Sequence, residues 1–282
     1  MIRLCAFSDE ADGSLQGQID ALKANGISLT ELRFVDGKNV KDLKSFEAAA
    51  IRNKLLDNGI CVWSVGSPIG KVDIGSDLEK YMDEVKHVCD IARRLGTDKV
   101  RMFSFFHAYE QGERVMEYLQ KMVEIAKDYE VSLCHENEKD IYGDTAERVM
   151  EIRQRVPELK HVYDPANFLQ VGEPAEKTLA TLHQGSEYFH IKDVIAQTGE
   201  LVPAGYGDGK ILELVQKIEG DKVLTIEPHL AVFAGYEKID GEKMKNKFTF
   251  SSNREAFDAA VKAIKDVLAQ AGYEERNGRF YK

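Results

Sequence analysis

Residues 76–103 read SDLEKYMDEVKHVCDIARRLGTDKVRMF, and this stretch holds one complete unit of the fold. Leu78, Met82, Val85, Cys89, Ala92 and Leu95 recur every three or four residues, which lays one apolar stripe along a helix. Ser76 and Glu79 have the spacing of a capping box at its start. Gly96 follows the last apolar position, where a helix end favours a left-handed backbone that costs glycine no steric penalty. Lys99–Phe103 then reads as a short β-strand. The same helix, glycine, strand order recurs at Gly26-Ile27 and Gly59-Ile60, so the three glycines lie 33 and 37 residues apart.

Eight such strands are predicted: about Ile2–Phe7, Ser28–Phe34, Ile60–Val65, Lys99–Phe103, Val131–His135, His161–Asp164, Tyr188–Ile191 and Val223–Glu227. A helical pattern follows each; Pro157 ends one helix, and Ser252 with Glu255 forms a second capping box. Strand-helix alternation implies parallel strands joined by right-handed crossovers. Eight units of roughly 35 residues suit a single-domain (β/α)8, or TIM, barrel over residues 1–282. An open doubly wound sheet is the alternative. It has fewer strands and a glycine fingerprint after the first, whereas here Phe7 is followed by Ser8-Asp9-Glu10-Ala11-Asp12-Gly13. Two long loops depart from the rhythm, Ala196–Lys210 and Leu230–Asn253, both on the face where barrels place their sites.

Composition narrows the function. A formal charge of −10 disfavours a general grip on nucleic acid or an anionic membrane surface. No apolar run approaches the roughly 18 residues of a membrane helix, and Met1 to Glu10 lacks the regions of a signal peptide. Cys5, Cys61, Cys89 and Cys134 form no Cys-x-x-Cys pair and read as small buried hydrophobes in a reducing compartment. A cytoplasmic protein is expected.

Four consecutive strands end in ligand-type side chains: Glu136, Asp164, His190 and Glu227. Three carboxylates gathered at one rim would repel each other, and a divalent cation removes that cost. Three oxygens and one imidazole suit Mn²⁺ best or Mg²⁺, with Co²⁺ or Zn²⁺ compatible. Each residue taken alone could instead be a helix cap or an ion-pair partner.

With these residues the sequence resembles the xylose-isomerase-like superfamily of barrel sugar (phosphate) isomerases and epimerases, most densely from Val131 to His229. The His190-Ile191-Lys192-Asp193 run and the Gly205-Tyr206-Gly207-Asp208-Gly209 turn are similar to that family's. The resemblance implies one divalent metal on Glu136, Asp164, His190 and Glu227, with Glu136 and Glu227 also the catalytic acid/base pair. It implies proton transfer through an enediolate on a small-molecule sugar, sugar phosphate or polyol. A dehydratase or lyase acting on a keto-sugar or inosose is the alternative, and a non-catalytic sugar-binding barrel a further one. Family members are often oligomers, so a homo-oligomer fits.

The sequence departs from the ketose 3-epimerases at two places. Their substrate-binding His three residues after the metal Asp is here Asn167, and no Arg lies between His190 and Lys210, where Lys192 could take part of that role. Lys192, Asn167, Arg101 and His229 are the candidate substrate contacts. Lys192 could instead pair with Asp193, His229 could cap, and Arg101 and Glu31 could face the barrel or the helix layer. Trp63, Phe105 and Phe106 could wall a sugar face, or simply pack. Lys238, Lys243, Lys245 and Lys247 could meet an anion, or be solvated. His135 should face away from the site if Glu136 faces it.

Overall fold

The computed structural model describes residues 1–232 and 248–282. Eight parallel strands close on themselves: β1 (Ile2–Ala6), β2 (Leu29–Leu32), β3 (Cys61–Gly66), β4 (Lys99–Met102), β5 (Ser132–Glu136), β6 (Lys160–Tyr163), β7 (Tyr188–Ile191) and β8 (Lys222–Ile226). Each pairs with the next, and β8 returns to β1 in register from Ile2–Lys222 to Ala6–Ile226. This is the expected closed barrel, with strand bounds displaced by one or two residues at most. Around it, among the described residues, lie α1 (Leu15–Ala24), α2 (Ser45–Asp57), α3 (Leu78–Leu95), α4 (Gly112–Asp128), α5 (Ala146–Arg155), α6 (Pro165–Gln170), α7 (Ala175–Leu182), α8 (Ile211–Lys217) and α9 (Asn253–Gln270). No described helix is long and apolar enough to cross a membrane.

The expected stripe of α3 is buried throughout, and Gly96 ends the helix at φ +83°. Its N-cap is Asp77 rather than Ser76, with the carboxylate accepting from the Lys80 amide at 3.2 Å. An ionised acceptor suits the positive end of a helix better than a hydroxyl. Ser252 does cap α9, accepting from the Glu255 amide at 3.1 Å. Cys5, Cys89 and Cys134 are buried as expected, but Cys61 is exposed, because it opens β3 at the uncovered lower rim.

Two features correct the sequence reading. The expected loop after β7 is partly a hairpin: Asp193–Ile195 pairs antiparallel with Glu200–Val202. The Asp193 carboxylate accepts from the amides of Val194, Gly205, Gly207 and Gly209 at 2.9–3.0 Å. A Cβ on Gly207 would collide with Asp193 itself, so the glycine-rich turn exists to bring backbone amides onto one carboxylate. Second, the chain ends in a hairpin, Glu274–Arg276 with Arg279–Tyr281, whose outer strand pairs antiparallel with β1 through Ile2–Phe280 and Arg3–Arg279. It fills the space where β1 and β2 part, since those two pair only at Ala6–Thr30. Most of the second long loop, with Lys238, Lys243, Lys245 and Lys247, lies outside the described residues.

Candidate metal centre

Side chains alternate along a strand, so residues two apart share a face. On β5 this joins Cys134 to Glu136, on β6 Val162 to Asp164, on β7 Tyr188 to His190 and Lys192, and on β8 Val223 to Thr225 and Glu227. The lower members, with Cys5, Leu29 and Trp63, pack into an apolar plug inside the barrel. The upper members emerge at the C-terminal mouth. There the ligand atoms of Glu136, Asp164, His190 and Glu227 all lie within 4.8 Å of one another, and all four residues are buried.

Cations neutralise this cluster. Arg101 Nε lies 3.2 Å from Glu136 Oε2, and Arg33 Nη1 donates to Glu227 Oε1 at 2.9 Å. Lys192 Nζ lies 3.0 Å from Asp164 Oδ2 and 3.9 Å from Glu227 Oε2. Burial pushes Asp164 up to about 6, with Lys192 opposing and Glu136 and Glu227 adding to the rise. Burial would raise Glu227 too, but Lys192 and His190 outweigh it and hold this carboxyl well below its ordinary range. Burial likewise favours a neutral His190, yet Glu136, Glu31 and Glu227 outweigh it and hold the imidazole well above its usual value.

The donors fit a divalent cation. His190 Nδ1 points between the carboxylates, 2.8 Å from Glu136 Oε1 and 3.1 Å from Glu227 Oε2. Asp164 Oδ1 caps α6 by accepting from the Ala166 and Asn167 amides, which leaves Oδ2 for the site. Asp164 Oδ2 and Glu227 Oε2 are buried without a hydrogen bond. Lys192 at 3.0 Å and His190 at 3.1 Å meet these two oxygens as charges, a place a divalent cation would share, since three carboxylates with one imidazole make a hard, oxygen-rich set.

The four candidate substrate contacts all reach this cluster. Arg101 faces the barrel interior, which resolves its ambiguous alternation, and its guanidinium also lies 4.5 Å from the Phe103 ring centroid. Lys192 pairs with Asp164 and not with Asp193, because adjacent strand residues point to opposite faces. Asn167 donates to Asn137 O at 2.9 Å and Glu136 Oε1 at 3.3 Å. His229 Nε2 lies 3.4 Å from Glu10 Oε1 and 3.5 Å from Glu227 Oε1. A narrow cavity at the mouth is lined by these four residues together with Lys71 and Phe103.

Other sequence candidates lie elsewhere. Trp63 sits low in the barrel under Arg3 and Lys99, 5.1 and 4.7 Å from its ring centroid, and walls no site. Phe105 packs in the main core, and Phe106 bridges loop backbone at Asp73 and Ile141. Phe103 takes the place at the mouth expected of them. His135 faces outward as expected, against Ser104 and His161. The sequence reading missed Arg33, Asp9 and Glu10. Arg33 Nε donates to Asp9 Oδ2 at 2.9 Å, and Nη2 to Glu10 Oε1 at 3.3 Å. Burial pushes Glu10 up to about 7 despite His229 and Arg33. The signal was present: Asp9 and Glu10 follow strand 1 as Glu136 ends strand 5, and Arg33 lies two residues beyond Glu31.

Residues 19–268 match the family described as xylose isomerase-like TIM barrel. No curated protein matches the sequence significantly. Among solved structures, L-ribulose 3-epimerase superposes with a TM-score of 0.75 at 19% identity, covering 96% of each chain. The probable 3-DHS dehydratase AsbF of Bacillus anthracis gives 0.71 at 17% identity, over 94% of this chain and 99% of that one. The IOLI protein with a bound zinc atom gives 0.72 at 17% identity, over 95% and 99%. At these identities the structural likeness speaks for the fold alone; the match over residues 19–268 goes further. The chain belongs to the xylose isomerase-like TIM barrel family.

Proposed function

We propose that the protein is a divalent-metal-dependent isomerase or epimerase of a small sugar, sugar phosphate or polyol. The observation that carries this reading is the convergence of Glu136, Asp164, His190 and Glu227 within 4.8 Å at the barrel mouth. These four residues would hold the ion, with Mn²⁺ the best match to their donor set. When bound, the ion supplies Lewis-acid polarisation of a carbonyl and its neighbouring hydroxyl.

The chain's own groups do the rest. Glu227, held ionised by Lys192 and His190, takes the proton from the carbon beside the carbonyl. Glu136 enters from β5, three strands away around the ring; carrying a proton taken from water, it delivers that proton from the other side, and Glu227 releases the one it took to water before the next turnover. Return to the same carbon inverts it, and return to the neighbouring carbon moves the carbonyl. Arg33 and Arg101 hold the two glutamates in place. Lys192, Asn167 and His229, which line the cavity at the mouth, would hold substrate hydroxyls. Four free cysteines suit a reducing cytoplasm.

A second reading is a dehydratase on a keto-sugar or inosose, in which a β-hydroxyl leaves instead. Asn167 in place of the His of the 3-epimerases, and the lack of an Arg between His190 and Lys210, count against a 3-epimerase of the usual kind, and the dehydratase would use the same enediolate.

Incubating the Mn²⁺-loaded protein with a keto-sugar panel in D₂O separates these readings. One deuterium with otherwise unchanged mass marks isomerisation or epimerisation, and loss of water marks the dehydratase. Glu227→Gln should remain folded and lose nearly all turnover. Near-normal activity in that variant would reject the assignment.

A further inference from the structure

Glu31 lies on β2, fully buried beneath the candidate metal ligands and outside that set. Below it the barrel interior is apolar, filled by Cys5, Val162 and Val223. Burying a carboxylate in such a place costs several kcal/mol unless its oxygens are met by donors. They are. Tyr188 donates its hydroxyl to Oε1 at 2.8 Å, and Thr225 donates to Oε2 at 3.0 Å. The third neighbour is His190, whose Nε2 lies 3.2 Å from Oε2. Tyr188 is two residues before His190 on the same face of β7, and Thr225 is paired with His190 across β8. The two hydroxyls thus aim Glu31 at one imidazole.

We propose that Glu31 is the positioning residue for His190: it accepts the Nε2 hydrogen, and so presents the Nδ1 lone pair to the metal. The proposal rests on the metal-dependent reading above. Carboxylates on the far nitrogen of a ligating histidine fix the ring and its tautomer and raise the basicity of the coordinating nitrogen. The ring is already confined on its flanks by Phe7 at 5.2 Å and Tyr188 at 5.6 Å between centroids. Rotation about the remaining axis is what Glu31 stops. Arg101 does not account for this carboxylate, since its Nε is 4.0 Å from Glu31 and 3.2 Å from Glu136. Nor does Glu31 act as a ligand, because it touches the imidazole nitrogen turned away from Glu136.

The test compares Mn²⁺ affinity of wild type and Glu31→Gln by calorimetry, with the melting temperature of the metal-free proteins as control. The expected result is a loss of affinity of about 10- to 100-fold with the metal-free fold retained. Equal affinity in the variant overturns the role of Glu31 while leaving the metal site standing. A wild type that binds no divalent ion overturns both. A second arm uses wild type alone, so a misfolding variant cannot block it. In the Zn²⁺-loaded protein, nitrogen NMR of His190 should show hydrogen on Nε2 and none on Nδ1. Hydrogen on Nδ1 overturns the proposal. Tyr188→Phe, which removes one anchor of Glu31 and keeps its charge, should weaken Mn²⁺ binding several-fold.

Discussion

Both ring nitrogens of His161 are buried without a hydrogen-bond partner. Burial, with His135, Arg153 and Lys160 nearby, holds this imidazole well below its ordinary value. The folded state therefore keeps it neutral, while the unfolded chain takes up a proton as pH falls below about 6.5. Stability is lost in that direction, by about 1.4 kcal/mol per pH unit. His161→Leu should abolish this contribution, so its advantage over wild type should grow from pH 7.5 to pH 5 in denaturant titrations. A pH-independent difference would reject the account. His161 and Glu136 show what can be read at this scale. A charged residue ending an apolar strand announces a site, because burial there needs a reason. An outward histidine announces nothing until its neighbours are known.

The hairpin after β7 packs Val194 and Leu201 against Ala166, while one carboxylate holds the glycine turn that follows it. Asp193→Ala removes the acceptor for four amides at once, and hydrogen bonds to a charged group are worth more than neutral ones. Hydrogen exchange at Gly205, Gly207 and Gly209 should accelerate at least 100-fold, with exchange in β1 to β8 little changed. Equal protection in the variant would mean that other contacts hold the turn. At the end of α3, Gly96→Ala meets both a left-handed backbone and Arg52, so a loss of about 1–2 kcal/mol is expected. Denaturant unfolding measures it. These elements were legible in unequal degree. The helix stripe and its terminal glycine are local, and the strand bounds came out almost unchanged. The turn's glycines were visible, but their purpose was not, since Asp193 lies 12 to 16 residues before them.

The barrel closes through β8 on β1, and the C-terminal hairpin adds to β1 from its other side. The side chain of Phe280 is 3% exposed and seals the place where β1 leaves β2. Phe280→Ala should cost about 3 kcal/mol by cavity formation. A loss within 0.5 kcal/mol in denaturant unfolding would show that the hairpin is peripheral. An ion bound at the candidate site should act on the whole molecule as well. Ion at 100 times its dissociation constant should stabilise the fold by about 2.7 kcal/mol, because only the folded state gathers the ligands. EDTA should reverse the rise in melting temperature. Glu136→Gln should abolish most of it.

Periodicity alone specified eight strand-helix units, and from them the barrel, because apolar spacing and terminal glycines act within a few residues of chain. The same local logic exposed Glu136, Asp164, His190 and Glu227, since alternation along a strand dictates which side chains reach the mouth. Partnership was beyond its reach. Arg33 with Glu227, Glu31 with His190 and Phe280 with β1 join residues between 159 and 278 positions apart. No local pattern encodes such pairs; they form because ring closure brings distant strands side by side, and burial then leaves each charge only the partner it finds there.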